Sequence, residues 1–222
     1  GQLVETEIQR SRKTGALISQ PRIWDNLLSS QPMCFNLFGE LYYNLSDASD
    51  VFEILFPDIV EEITSIKFEY SPGRGDIIYT ADHSAFDVFV EYNSKEGKCG
   101  FIGIEVKYAE SLREETKEKA RRNFRERYVE ITERSGVFED NAVDVLREPP
   151  LSQIWRDHLL AITLRDVGGY DEGLFMFLFP SENKECREGV QHYKSLLRAQ
   201  DGRESGFYSM HLETVVEAVQ ST

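Results

Sequence analysis

At 222 residues, with 41% hydrophobic and 12% aromatic side chains, the chain can build one substantial core, and a single domain over residues 1–222 is the expectation. No apolar run is long enough to cross a bilayer and the opening residues carry no apolar signal core, so no membrane partner and a cytoplasmic location are expected. A net charge of −14 argues against a protein that coats nucleic acid through lysine and arginine, yet it suits a site that binds a divalent cation through carboxylates.

The first stretch, to about Ser19, is polar and reads as frayed. The apolar residues from Ser30 to Tyr43 recur at helical spacing. Ser30 can cap this helix, Pro32 suits its first turn, and Asn36 and Glu40 share one face. A short helix follows Asp47 and ends before Pro57. Residues 63 to 70 alternate as a strand, which Pro72-Gly73-Arg74-Gly75 stops. Two apolar strands follow, Ser84 to Tyr92 and Gly100 to Tyr108, joined by the polar turn Asn93 to Lys98, which predicts an antiparallel hairpin. Residues 111 to 134 carry charges at helical spacing. A turn region around Gly136 and Pro149-Pro150 separates them from a helix at Ser152 to Leu164. The continuous apolar run Leu174 to Phe179 predicts a central strand buried on both faces. Residues 181–222 add a helix near Glu185 to Leu197, a strand near Phe207 to His211 and a last helix from Glu213. This extension reads as an addition to the sheet or as a dimer contact, so a homodimer is one expectation. The order predicts an α/β (α+β) fold, a mixed central sheet flanked by helices.

The three cysteines are odd in number and widely spaced, which fits reduced packing thiols, and the four scattered histidines lack the spacing of a zinc site. The chemistry concentrates in the hairpin. Asp87, Glu105 and Lys107 interrupt β-branched and aromatic sequence, and a charge in a buried strand is costly unless it is paired, hydrogen-bonded or bound to metal. A hairpin turning about Glu96 sets Asp87 directly opposite Glu105, roughly 5 Å apart at Cβ, with Lys107 on the same face as Glu105. Two carboxylates so placed repel unless a cation lies between them, and Mg²⁺, which takes a few carboxylates plus water and phosphate oxygens, resolves the conflict. Lys107 could then hold a water or offset charge on a phosphate. Glu-x-Lys itself occurs four times in the chain, and only Glu105-Val106-Lys107 lies in an apolar strand behind an acidic partner strand. The geometry alone leaves a catalytic group and a surface ion pair on an edge strand as alternatives.

The run Ser71-Pro72-Gly73-Arg74, then Asp82-His83-Ser84-Ala85-Phe86-Asp87, then Ile104-Glu105-Val106-Lys107, resembles the PD-(D/E)xK nuclease superfamily, of restriction-endonuclease-like fold, and in particular its uncharacterised bacterial members. The resemblance spans about Ser30 to Pro180. It implies a Mg²⁺ or Mn²⁺ ion held by Asp87, Glu105 and the Val106 carbonyl, with Lys107 activating or orienting the attacking water. It implies a further metal-binding glutamate on the first helix, where Glu40 fits, and a glutamine on the helix after the third strand, loosely matched by Gln153. The Pro-Asp dipeptide is absent, since Phe86 precedes Asp87, so the substrate does not follow from the motif.

Other residues carry two readings. Arg74 is a phosphate contact or a turn support. Gln153 and Arg156 touch phosphate or pack. Arg121 and Arg125, in the dense basic segment Arg121 to Tyr128, share one helix face and either grip phosphate in their fork geometry or pair with nearby glutamates. Glu91 and Glu110 read as solvated. The expectation is a metal-dependent nuclease hydrolysing phosphodiester bonds in DNA, with RNA the other substrate. The alternative is a nuclease-like fold kept as a catalytically silent binding module.

Overall fold

The computed structural model describes residues 2–14, 18, 22–26, 28–112 and 115–222. It opens with α1 (Gln2–Thr14), α2 (Arg22–Asp25), α3 (Ser30–Tyr43) and α4 (Leu45–Leu55). There follow β1 (Val60–Tyr70), β2 (Phe86–Ser94) and β3 (Cys99–Val106), then α5 (Lys117–Asn123), α6 (Glu126–Ser135), α7 (Val143–Leu146) and α8 (Leu151–Val167). The chain closes with β4 (Glu172–Phe179), α9 (Lys184–Lys194), α10 (Gly202–Ser205), β5 (Phe207–His211) and α11 (Leu212–Ser221).

Five strands form one mixed sheet in the order β1-β2-β3-β4-β5. β1, β2 and β3 pair antiparallel, whereas β3-β4 and β4-β5 pair parallel. The parallel pairs need crossovers, and α8 and α9 lie in those connections. Residues 181–222 therefore complete the sheet with β5, the first of the two roles expected for them.

The sheet separates two apolar layers. On one face Val88, Val90, Ile102, Ile104, Leu174 and Met176 pack beneath α3, α4 and α11. On the other, Phe89, Phe101, Phe175 and Phe177 pack beneath α6, α8 and α9. β4 alternates between the two layers, so the unbroken apolar run is a strand buried on both faces, as its composition requires.

Two expectations need correction. The N-terminal stretch is not frayed over residues 2–14: α1 buries Leu3 and Ile8, and the Arg10 guanidinium donates to the Phe68 carbonyl of β1 at 2.5 Å. The charged stretch 111–134 is not one helix. α5 ends at Asn123 and α6 begins at Glu126, because Phe124 turns inward against Tyr128 and Trp155.

Gly103 of β3 shows how tightly the second layer is filled. A Cβ there would lie 2.5 Å from the Phe86 ring. Gly103→Ala should cost about 1–3 kcal/mol by forcing that ring aside. Urea unfolding measures it, and an unchanged midpoint would show that Phe86 does not cover Gly103.

Candidate active site

Strand register builds the site. Val88 pairs with Ile104 and Val90 with Ile102, so continuing the hairpin by one residue sets Asp87 opposite Glu105. On the other side Phe68 pairs with Val88 and Tyr70 with Phe86, which sets Glu69 opposite Asp87. Three carboxylates, Glu69, Asp87 and Glu105, thus stand in one row across three adjacent strands spaced about 4.8 Å apart. Like charges opposed across strands repel.

The row sits where β1 and β2 break their alternation. Phe68 and Val88 face the first apolar layer, yet Tyr70 and Phe86, two residues on, pack with the second. Glu69 lies at the crossover with φ +49°, a left-handed conformation uncommon outside glycine, asparagine and aspartate. The distortion brings its carboxylate to the Gln31 amide of α3, which donates to it at 2.5 Å.

Each carboxylate has a distinct hold. Asp87 Oδ2 accepts from the Val106 N–H at 2.8 Å. Glu105 Oε1 accepts from the Gln153 amide of α8 at 2.6 Å and pairs with Lys107 Nζ at 2.8 Å. Glu105 and Lys107 are both largely buried, at 7% and 12% side-chain exposure, which excludes the surface ion pair. The Lys107 N–H donates to the Leu178 carbonyl at 2.8 Å, so the backbone on either side of the Val106 carbonyl is fixed.

The electrostatics are those of excess negative charge. Burial pushes the Asp87 carboxyl well above the usual range and repulsion from Glu105 and Glu69 adds to it, against Lys107 and the Val106 N–H. Burial raises Glu69 to about 7, opposed by the Gln31 hydrogen bond and reinforced by Glu105. For Lys107, burial alone would lower the ammonium, but Glu105 and Asp87 outweigh it and the net direction is up. Asp157, one helical turn beyond Gln153, is buried, and its Oδ2 has no hydrogen-bond partner. Burial and then Glu105 push its carboxyl well up.

A polar cavity of about 350 Å³ opens on this group, lined among others by Asp87, Glu105, Lys107, Lys119, Gln153 and Arg156. Among the described residues no three acidic, histidine or cysteine side chains close into a full metal cage. Asp87, Glu105 and the Val106 carbonyl would instead supply a sparse oxygen set, of the kind Mg²⁺ or Mn²⁺ takes with its remaining positions left to water or phosphate, and a cation there would offset the repulsion. The donor set therefore fits the ion.

The structure brings Asp87, Glu105, Val106, Lys107 and Gln153 together and leaves other candidates outside. Glu40 is exposed in the last turn of α3, ten residues or about 15 Å along the axis from Ser30. It is the opposite end of α3 that meets the site, where the Ser30 N–H donates to Glu110 at 2.6 Å. Arg156 lines the cavity, but its guanidinium pairs with Glu115 at 3.0 Å, tying α8 to the start of α5. Arg74 is half-buried, donates to the His83 carbonyl at 3.4 Å, and its charge acts on Glu69. Arg121 and Arg125 do not share a helix face, since Arg125 lies in the break before α6 and donates to the Arg122 and Phe124 carbonyls. Both are exposed. Glu110 is not simply solvated: the Ser30 and Tyr108 N–H groups hold it below the usual range against its burial. Glu91 is held by Lys67, Ser65 and Tyr170.

Glu69, Gln31 and Asp157 escaped the sequence reading. Register was the available signal for Glu69, because the strand pairing that opposes Asp87 to Glu105 also opposes Glu69 to Asp87.

The Glu69 shift has a testable sign. Between pH 4.5 and about 7 folded Glu69 keeps a proton that the unfolded chain releases, so its contribution falls as pH rises through that window. Glu69→Gln should make the decline shallower in urea unfolding from pH 4 to 8, and parallel curves for the two proteins would contradict the placement.

The family model of the PD-(D/E)XK nuclease superfamily matches residues 1–222, the entire chain. No curated protein and no solved structure matches it. That match covers the five-stranded mixed sheet and every flanking helix described above, and the chain belongs to the PD-(D/E)XK nuclease superfamily.

Proposed function

We propose that the protein is a Mg²⁺- or Mn²⁺-dependent nuclease that hydrolyses phosphodiester bonds in DNA, with RNA the other candidate substrate. The observation that carries this reading is the opposition of half-buried Asp87 and buried Glu105 across the hairpin, with Lys107 bound to Glu105 at 2.8 Å.

Asp87, Glu105 and the Val106 carbonyl would hold the ion. When bound, it polarises a phosphoryl oxygen and makes a coordinated water a stronger nucleophile at neutral pH. The protein supplies the rest. Gln153 fixes the Glu105 carboxylate, and the Val106 N–H fixes that of Asp87, so both keep their aim without substrate. Lys107 presents a cation beside the reacting phosphate, where it orients the attacking water or meets the charge that develops on the phosphoryl oxygens. The body of the protein repels a polyanion, with −14 net charge, so binding depends on local cations such as Lys119 at the cavity rim.

Asp87→Ala and Glu105→Gln should each reduce metal-dependent cleavage of labelled DNA at least ~100-fold, and Lys107→Met by about 10²–10⁴. Gln153→Ala should cost about 10–100-fold. Circular dichroism should stay unchanged in all four. Chelation should abolish cleavage and Mn²⁺ restore it. Full activity in Asp87→Ala defeats the assignment, and absence of cleavage by the wild-type protein under all metals supports a silent binding module instead.

A further inference from the structure

The connection between β1 and β2 leaves the sheet just beyond Glu69 and returns just before Asp87, so it rises from the mouth of the site. At its tip Ile77 and Ile78 are 71% and 53% exposed, and Ile77 is the most exposed large apolar side chain among the described residues. Single exposed apolar residues are ordinary, but an adjacent branched pair on a fixed support is less so.

The support is fixed by several independent bonds. The Asp76 side chain accepts from the Ile78 N–H at 2.9 Å, and its carbonyl accepts from Tyr79 and Ala81. Gly75 N–H donates to the Asp82 carbonyl at 2.6 Å. The Asp82 carboxylate accepts from Thr80, Ser84 and the Tyr128 hydroxyl. Gly73, at φ +54°, lies against the Tyr79 ring, where any Cβ would be 1.8 Å from a ring carbon. The tip thus cannot fold its isoleucines inward without breaking this set.

The same bonds join the tip to the dense basic segment. Arg127 of α6 donates to the Ile78 and Tyr79 carbonyls at 3.2 and 3.1 Å. Tyr128, which donates to Asp82, also sets its hydroxyl 3.3 Å from the Asn123 carbonyl at the end of α5. Arg121, Arg122 and Arg125 stand exposed around that junction. The loop that carries this tip therefore forms an edge that springs from the carboxylate row and is bonded to the basic segment through Arg127 and Tyr128.

We propose that this edge separates strands: Ile77 and Ile78 insert between stacked bases of a duplex while Arg121, Arg122 and Arg125 hold the backbone that is displaced. Insertion of apolar side chains between base steps is an established way to unstack a duplex, and arginine forks hold phosphate. The inference rests on the nucleic-acid reading of the site and narrows the substrate to a duplex opened next to the carboxylates.

The test is a DNA duplex carrying 2-aminopurine, titrated with protein in EDTA so that nothing is cleaved. Wild type should raise the fluorescence several-fold at saturation. Ile77→Ser/Ile78→Ser should fold normally by thermal melt and give a rise at least fivefold smaller. Arg121→Ala/Arg125→Ala should weaken binding about tenfold and flatten its salt dependence. An equal rise in wild type and the isoleucine variant overturns the proposal. So does a shift from dimer to monomer in that variant with fluorescence unchanged, which would make the tip a self-association surface. Hydrolysis of bis(p-nitrophenyl) phosphate with Mn²⁺ separates the two readings. Equal hydrolysis by both proteins without a fluorescence rise leaves the nuclease chemistry standing and removes the strand-separating edge, whereas no hydrolysis and no duplex binding by wild type removes both.

Discussion

Everything at this site follows from three carboxylates set side by side at the ends of adjacent strands. Glu69, Asp87 and Glu105 occupy one row of the sheet, against one buried lysine bonded to the last of them. Such a row is unfavourable on its own, since burial and mutual repulsion both penalise the charged forms. It persists because the two apolar layers over-determine the strand positions, and because Gln31, Gln153 and the Val106 N–H each satisfy one acid. A divalent cation held as proposed would remove the remaining imbalance. Stability withheld at a site in this way is commonly the counterpart of activity.

The fold serves this arrangement through two helices that approach from opposite faces. α3 delivers Gln31 and the Ser30 N–H from its first turn, and α8 delivers Gln153 and, one turn later, the unpartnered Asp157. The sheet changes from antiparallel to parallel pairing at β3, so Glu105 and Lys107 lie on the strand that joins the two halves. The Glu115–Arg156 ion pair then anchors the start of α5 over the cavity, next to the loop that leaves from Glu69.

Much of this was legible in the residues. The polar turn Asn93 to Lys98 set the hairpin centre, and once that centre is known the opposition of Asp87 and Glu105 follows from the period of a strand. The apolar run of β4 announced a strand covered on both faces. What stayed hidden was geometry that side-chain type does not encode. No residue type in Lys67-Phe68-Glu69-Tyr70 signals a positive φ, so Glu69 read only as one alternating position of a strand. Periodicity marks which side of α3 is apolar but not which end meets the sheet's acidic corner, and Glu40 was expected at the wrong end. The charge pattern runs on through Asn123-Phe124-Arg125 and hides a break made by one aromatic ring turning inward. α1 was missed because only Leu3, Val4 and Ile8 of its first turns are apolar, and its anchorage comes from the distant Phe68 carbonyl.

The central claim is that Asp87 and Glu105 form one cation site. Isothermal titration of Mn²⁺ into the wild-type protein and into Glu105→Gln tests it without any substrate. The account predicts a saturable heat in wild type that disappears in the variant while the fold is kept. An identical titration curve for the two proteins would contradict it.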